Sequence, residues 1–189
     1  ERLKALTAGI SGPASLPLVR LSIGEPQHAT PQLIKDALTG ALDGLSVYPT
    51  TAGLDALREC IASWLMRRYR LPAVSATSQV LPVIGSREAL FSFAQCVIDA
   101  SRPGAKVLSP NPFYQIYEGA ALLAGAQIAF YNQSPDDAFA CNFDRIPESD
   151  WTGVQLVYVC SPANPCGKVM TLDEWRTLFE LADRHGFVI

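Results

Sequence analysis

One stretch limits the folds open to this chain more than any other. Gln155-Leu156-Val157-Tyr158-Val159-Cys160 is a mostly apolar run, halted by Ser161-Pro162-Ala163-Asn164-Pro165-Cys166-Gly167. A run of that length and character fits a strand covered on both faces, as in a parallel sheet. Two prolines and a glycine then force a turn at the strand's carboxyl end, and Thr171 opens a helix shortly after. In open α/β sheets ligands sit outside that edge. Asn164 has two readings there: an amide donor to a ligand oxygen, or plain turn chemistry, which Asn and Pro favour.

The same strand-then-helix rhythm precedes it. Val80–Ile84 reads as a strand, with Pro82 arguing for an edge or irregular position. A helix follows with Ala89, Leu90, Phe93, Ala94, Val97 and Ile98 on one face. Lys106–Ser109 is the next strand, Phe113 to about Leu123 the next helix, and Gln127–Tyr131 a further strand. Thr171-Leu172-Asp173-Glu174 is a capping box that starts a helix burying Trp175, Leu178, Phe179 and Ala182. This alternation predicts βαβ units and a mostly parallel sheet, hence an α/β fold.

Earlier, residues 1–20 are weakly patterned and Leu21–Pro26 forms a short extended piece. Thr30-Pro31 reads as an N-cap followed by a first-turn proline, opening a helix to about Leu42. Leu54, Leu57, Ile61, Ala62, Leu65 and Met66 fall on one face of a core-facing helix that ends near Tyr69. The chain opens in a helix and closes on Gly186-Phe187-Val188-Ile189, a strand just begun, so it reads as part of a longer protein.

Composition narrows the function classes. Apolar residues at 49% and charged residues at 17% describe an ordinary globular chain. A net charge of −3 without any Lys/Arg run argues against a nucleic-acid partner. The longest apolar stretch, Gly119 to Tyr131, is interrupted by Gln127 and too short to span a bilayer. The start is charged and resembles no signal peptide. Five cysteines without a CxxC pair, and only His28 and His185, give no metal-ligand spacing. They read as reduced thiols of a cytoplasmic protein.

Two further segments can carry chemistry. Gly85-Ser86-Arg87 joins the Val80–Ile84 segment to a helix start, where free N–H groups and the helix dipole favour an anion. The alternative is an ordinary helix cap. Pro110-Asn111-Pro112-Phe113-Tyr114-Gln115-Ile116-Tyr117 can present a flat aromatic face to a planar ring, or be helix-start prolines and core aromatics.

Taken in order, these motifs resemble those of the fold-type-I, pyridoxal-phosphate-dependent class I/II aminotransferases. The matching segments are Ile23-Gly24-Glu25-Pro26, Tyr48-Pro49 with Gly53, Gly85–Leu90, Pro112–Tyr117 and Asn164-Pro165-Cys166-Gly167. Within that family, the wording of Leu21–His28 and Tyr48–Leu54 resembles N-succinyldiaminopimelate aminotransferases of lysine biosynthesis. The resemblance implies a three-layer large domain from residue 45 onward, continuing past Ile189. Residues 1–44 would form an N-terminal segment belonging partly to a small domain.

The resemblance also implies roles. Ser86 and Arg87 hold the cofactor phosphate, Tyr114 stacks on the pyridine ring, and Asn164 donates to its phenolic oxygen and keeps it anionic. Gly24 leaves room for the substrate carboxylate. Tyr48 reaches the phosphate of a neighbouring subunit, which implies a homodimer. Asn111–Pro112 and Asn164–Pro165 are expected cis. Cys166 departs from the threonine or serine common in the family, and is expected to be tolerated. None of Lys4, Lys35, Lys106 and Lys168 stands in the family's Schiff-base motif, so that lysine, with the pyridine-pairing aspartate and the carboxylate-binding arginine, is expected beyond residue 189. The implied reaction moves an amino group from glutamate to a 2-oxo acid, N-succinyl-2-amino-6-oxopimelate on the closest resemblance. Alternatives are an aspartate or aromatic transaminase or a carbon–sulfur lyase on the same scaffold, or a non-enzymatic cofactor-sensing regulator.

Overall fold

The structure, a computed structural model, describes residues 2–13, 15, 16, 19 and 24–189. Leu21-Ser22-Ile23, part of the expected extended piece and of two matching motifs, lies outside the described residues. The chain divides into two compact units, Glu1–Thr50 and Thr51–Ile189.

The first unit holds helix α1 (Arg2–Leu6), helix α2 (Gln32–Gly40) and a 3-10 turn at Leu42–Ser46. α2 starts one residue later than Thr30-Pro31 predicts. Pro31 has φ −54° and ψ 141°, an extended ψ that makes it the cap rather than the first helical residue, and no side chain caps the helix. The Thr30 cap is therefore not made.

The second unit carries the sheet. Its strands β1 (Lys106–Asn111), β2 (Gln127–Asn132) and β3 (Val154–Val157) are parallel, in the order β2-β1-β3. Beyond β3, Val188 forms a parallel bridge with Leu156, so the closing residues do begin a further strand. The expected strand at Val80–Ile84 is not formed. Pro82 has no N–H to donate, and Ile84 is fully exposed. The Val80 carbonyl is taken instead by the Arg58 Nε at 3.1 Å.

Helices α3 (Asp55–Tyr69), α4 (Ser86–Val97), α5 (Ile116–Leu123) and α6 (Leu172–His185) complete the unit. α5 starts three residues after the expected Phe113, because Pro112 to Gln115 turn the chain first. α3 has the predicted length, and its predicted face is covered only in part: Leu54 is 70% and Leu57 47% exposed, while Ile61, Leu65 and Met66 are half-buried and Ala62 and Arg58 are buried. None of the described helices or strands packs extensively on α3, so its apolar stripe has little to cover it. α6 keeps its capping box, with Glu174 N donating to Thr171 Oγ1 and Thr171 N to the Glu174 carboxylate.

A one-residue slip in the sheet sets the layers. β1 pairs Lys106 with Val154 but Val107 with Leu156, leaving Gln155 as an extra residue. Side chains alternate with a period of two, so this bulge sends Val154 and Leu156 to opposite faces. Val154, Val157 and Leu108 join Trp151, Phe143, Leu178, Leu181 and Phe187 on the α6 side. Leu156 and Val107 join Ala94, Ala120, Ala121 and Tyr117 on the α4 and α5 side. The result is a helix–sheet–helix sandwich, the three-layer arrangement expected. The bulged Gln155 is used as well: its Oε1 accepts from Asp99 N at 2.7 Å and its Nε2 donates to Asp99 O at 3.0 Å, tying the exit of α4 to the sheet.

Candidate functional site

Strand order β2-β1-β3 places β1 centrally, with the chain leaving to one side first and the other later. The crevice between the carboxyl ends of β1 and β3 is thus the switch point where α/β sheets bind ligands. Two candidate segments leave the sheet there: the turn carrying Tyr114 after β1, and the loop carrying Asn164 after β3.

α4 brings the third. Its exit at Asp99 is bonded to Gln155 near the start of β3, while Leu90 O in its first half accepts from Tyr158 Oη at 2.7 Å, just past the end of β3. α4 therefore runs against the strand direction, and Ser86 and Arg87 open it at the carboxyl edge. Gly85 caps the helix with φ 124°, a conformation that suits glycine alone. The first helical bond runs from Ala89 N to Gly85 O, so the N–H groups of Ser86, Arg87 and Glu88 lie ahead of it. No side chain caps them. The Glu88 carboxylate folds back to within 2.6 Å of where a Cβ on Gly85 would stand.

A tyrosine ladder joins the three segments. Tyr114 meets Tyr117 edge-on, with centroids 5.9 Å apart, and Tyr117 stacks on Tyr158 at 4.4 Å and 15°. Burial, helped by the neighbouring Cys160, pushes the Tyr117 phenol up to about 12, and burial alone pushes Tyr158 to about 12. Both stay protonated at neutral pH, which leaves Tyr158 Oη a donor and makes neither a base. Burial, with the Glu174 carboxylate second, likewise pushes the Cys141 thiol up to about 12, so it is no nucleophile. Sequence reasoning missed Tyr158, hidden inside an apolar run. Its only signal is that it is the one hydroxylated side chain in that run. Tyr158→Phe is expected to cost about 1 kcal/mol in urea unfolding, the worth of one ordinary hydrogen bond, with the stacking kept.

Asn164 stands exposed at the tip of a closed loop. Gly167 N donates to Ala163 O at 2.7 Å, Ala163 N to Lys168 O at 2.8 Å, and Met170 N to Ser161 Oγ at 3.0 Å. Both expected cis bonds, Asn111–Pro112 and Asn164–Pro165, are present, and Ser161–Pro162 is a third that was not expected. Of the remaining candidates, Gly24 and Tyr48 belong to the first unit. A Cβ on Gly24 would meet nothing within 4 Å, and Tyr48 is 94% exposed. Ser86, Arg87, Tyr114 and Asn164 share the sheet edge.

The residues at the edge fit a phosphorylated aromatic ring. A helix start with a glycine cap and an arginine suits the phosphate, the half-buried Tyr114 suits the ring, and an exposed amide suits an anionic ring oxygen. A parallel sheet between helix layers with its site at the switch point defines an α/β ligand-binding protein. Residues 17–189 match the aminotransferase class I and II family, and the chain belongs to that family, which is pyridoxal-phosphate-dependent.

The chain is 30% identical over 174 residues to LL-diaminopimelate aminotransferase of Dehalococcoides mccartyi, covering 91% of this chain and 44% of that protein. Among solved structures it is similar to an aminotransferase from Neisseria meningitidis Z2491, with 49% identity and a TM-score of 0.90, covering all of this chain and 48% of that one. Aminotransferase AspB of Helicobacter pylori 26695 aligns with 34% identity and a TM-score of 0.88, again over 100% of this chain and 48% of its own. The chain thus spans about half the length of the relatives it matches. Among the described residues, no helix is long and apolar enough to cross a membrane.

Proposed function

We propose that this chain supplies the cofactor-holding half of a pyridoxal-phosphate-dependent aminotransferase. The observation that carries the reading is the convergence of Ser86-Arg87, Tyr114 and Asn164 on one switch-point edge, in a chain of that family. When bound, the cofactor supplies the electron sink for moving an amino group to a 2-oxo acid. This chain's residues bind and orient it. The Ser86 and Arg87 N–H groups and the guanidinium take the phosphate, Tyr114 fixes the ring plane, and the Asn164 amide stabilises the phenolic oxygen as an anion. Lys106 donates to Asp150 O at 2.9 Å and Lys168 pairs with Glu174 at 3.4 Å, so neither is free to carry the cofactor. On the family resemblance, in which none of the four lysines here stands in the Schiff-base motif, that task belongs to a lysine beyond residue 189. Gly24 clears space for the substrate carboxylate, and Tyr48 contacts the phosphate bound by a second subunit of a homodimer. In domain terms, residues 1–44 belong in part to a small domain and 45–189 begin the large one.

For the substrate, relatives named LL-diaminopimelate aminotransferases favour a diaminopimelate-type amino acid. The finer reading is the N-succinylated form, with glutamate as donor, in lysine biosynthesis inside the cell. The test uses the full-length protein with pyridoxal phosphate. Glutamate is expected to convert the visible cofactor band to the near-ultraviolet band of the pyridoxamine form. N-succinyl-LL-diaminopimelate is expected to do so at lower concentration than LL-diaminopimelate. The reverse order of the two sets aside the N-succinyl substrate. A band unmoved by all three favours a lyase or a sensor, and the absence of a band removes the reading itself.

A further inference from the structure

We propose that the half-buried ion pair of Lys168 with Glu174 is a positioning pair that holds Asn164 at the sheet edge, an inference that rests on the cofactor reading above. Asn164 itself is exposed and makes no side-chain hydrogen bond to the described residues, so its address depends wholly on the loop beneath it. That loop is a two-rung clasp. Its lower rung is Met170 N to Ser161 Oγ, its upper rung Ala163 N to Lys168 O, and Gly167 N to Ala163 O closes the tip. The outgoing limb is fixed by the sheet through Tyr158, whose N–H donates to Leu108 O at 2.9 Å. The return limb has no strand to lie on. Between its two rungs, the Lys168 side chain adds a link from this limb to α6.

Lys168 Nζ lies 3.4 Å from Glu174 Oε2, and the two side chains are only 18% and 13% exposed. Glu174 is in turn fixed from three directions. Its Oε2 accepts from Thr171 N at 2.6 Å at the start of α6, and its Oε1 from Cys141 N at 2.7 Å on the excursion after β2. The carboxylate thus ties the start of α6 and the excursion after β2 to one ammonium, and that ammonium belongs to the residue whose carbonyl makes the upper rung. Among the described residues, the Lys168 ammonium is the cation that pairs with this carboxylate. Removing the charge leaves the Glu174 carboxylate with its two backbone N–H donors but without its paired cation, and it frees the limb under Asn164.

The experiment compares Lys168→Met, Lys168→Gln and Lys168→Arg in the full-length protein. The first measurement is amide exchange without cofactor. Lys168→Met is expected to speed exchange at Ala163, Gly167 and Met170 by about tenfold or more while α6 and β1 keep their protection, and Lys168→Arg to restore it. Uniform loss across α6 and β1, or no change in the loop, overturns the proposal. The second is the pH titration of the bound pyridoxal phosphate band. A donor to the phenolic oxygen favours the deprotonated chromophore, so a loosened Asn164 raises the titration midpoint. An upward shift in Lys168→Met, absent in Lys168→Arg, supports positioning; an unmoved midpoint overturns it. Lys168→Gln keeps a neutral donor and is read in the same way where Lys168→Met does not fold. A wild-type protein that shows no band at all defeats the cofactor reading, and the exchange result then decides the mooring by itself.

Discussion

Replacing Trp151 by alanine is expected to lower the unfolding free energy by about 3–5 kcal/mol in a urea titration, among the largest losses any single change in this chain can produce. Trp151 is 2% exposed and the largest of the fully buried side chains. Its ring lies parallel to Phe187 at 5.3 Å and to His185 at 5.7 Å, so one indole holds together the end of α6 and the closing strand segment. It also packs in the cluster that includes Val154 and Leu178 beneath β3. No neighbouring side chain can fill an indole-sized void without dragging the sheet, so the cavity stays largely open and the loss sits at the high end of its range. Trp151→Phe, which refills part of that volume, should recover more than half of the loss. A loss below about 1 kcal/mol in Trp151→Ala would mean that the α6 layer is not packed as described.

The sandwich was legible in the sequence where local chemistry and tertiary packing agree. The Thr171–Glu174 capping box and the apolar stripe of α6 are local signals; the box holds, and the stripe holds in part, with Leu178 buried, Trp175 and Ala182 half-buried, and Phe179 52% exposed. Parallel strands covered by helices on two faces read as apolar runs, which is why β1 and β3 stood out, while the edge strand β2 keeps Phe130 exposed. Val80–Ile84 failed because apolar content does not supply a pairing partner, and Pro82 takes away a donor. The α3 stripe held only from Ile61 onward, for a related reason. Periodicity says which face is apolar, never what covers it, and here Leu54 and Leu57 remain exposed. The bulge at Gln155 could not be read at all, since a register slip is a relation between two strands.

The site was partly legible on the same terms. Ser86, Arg87, Tyr114 and Asn164 carry turn and helix-start chemistry that marks them locally, and the topology then brings their segments to one edge. The supports were not visible. Tyr158 and Glu174 act through contacts with residues distant in the chain, Tyr158 with Leu90 and Glu174 with Cys141. No short motif could reveal either role.

Asn164→Ala is expected to weaken pyridoxal phosphate binding by the full-length protein about tenfold to a hundredfold, read by fluorescence or dialysis, because a hydrogen bond to a charged acceptor is worth about 1.5–3 kcal/mol. Unfolding stability should hardly move, since Asn164 is exposed and its loop is closed by backbone bonds that alanine keeps. That separation between binding and stability is what distinguishes a ligand donor from plain turn chemistry. Asn164→Asp sharpens the test. A carboxylate has nearly the same shape, but it would set a negative charge against an anionic ring oxygen, so it should bind more weakly than alanine despite being the closer mimic. The expected order is Asn, then Ala, then Asp. If Asp binds as well as Asn, or if Ala loses stability and no affinity, Asn164 serves the turn and the phenolic oxygen is held by another group.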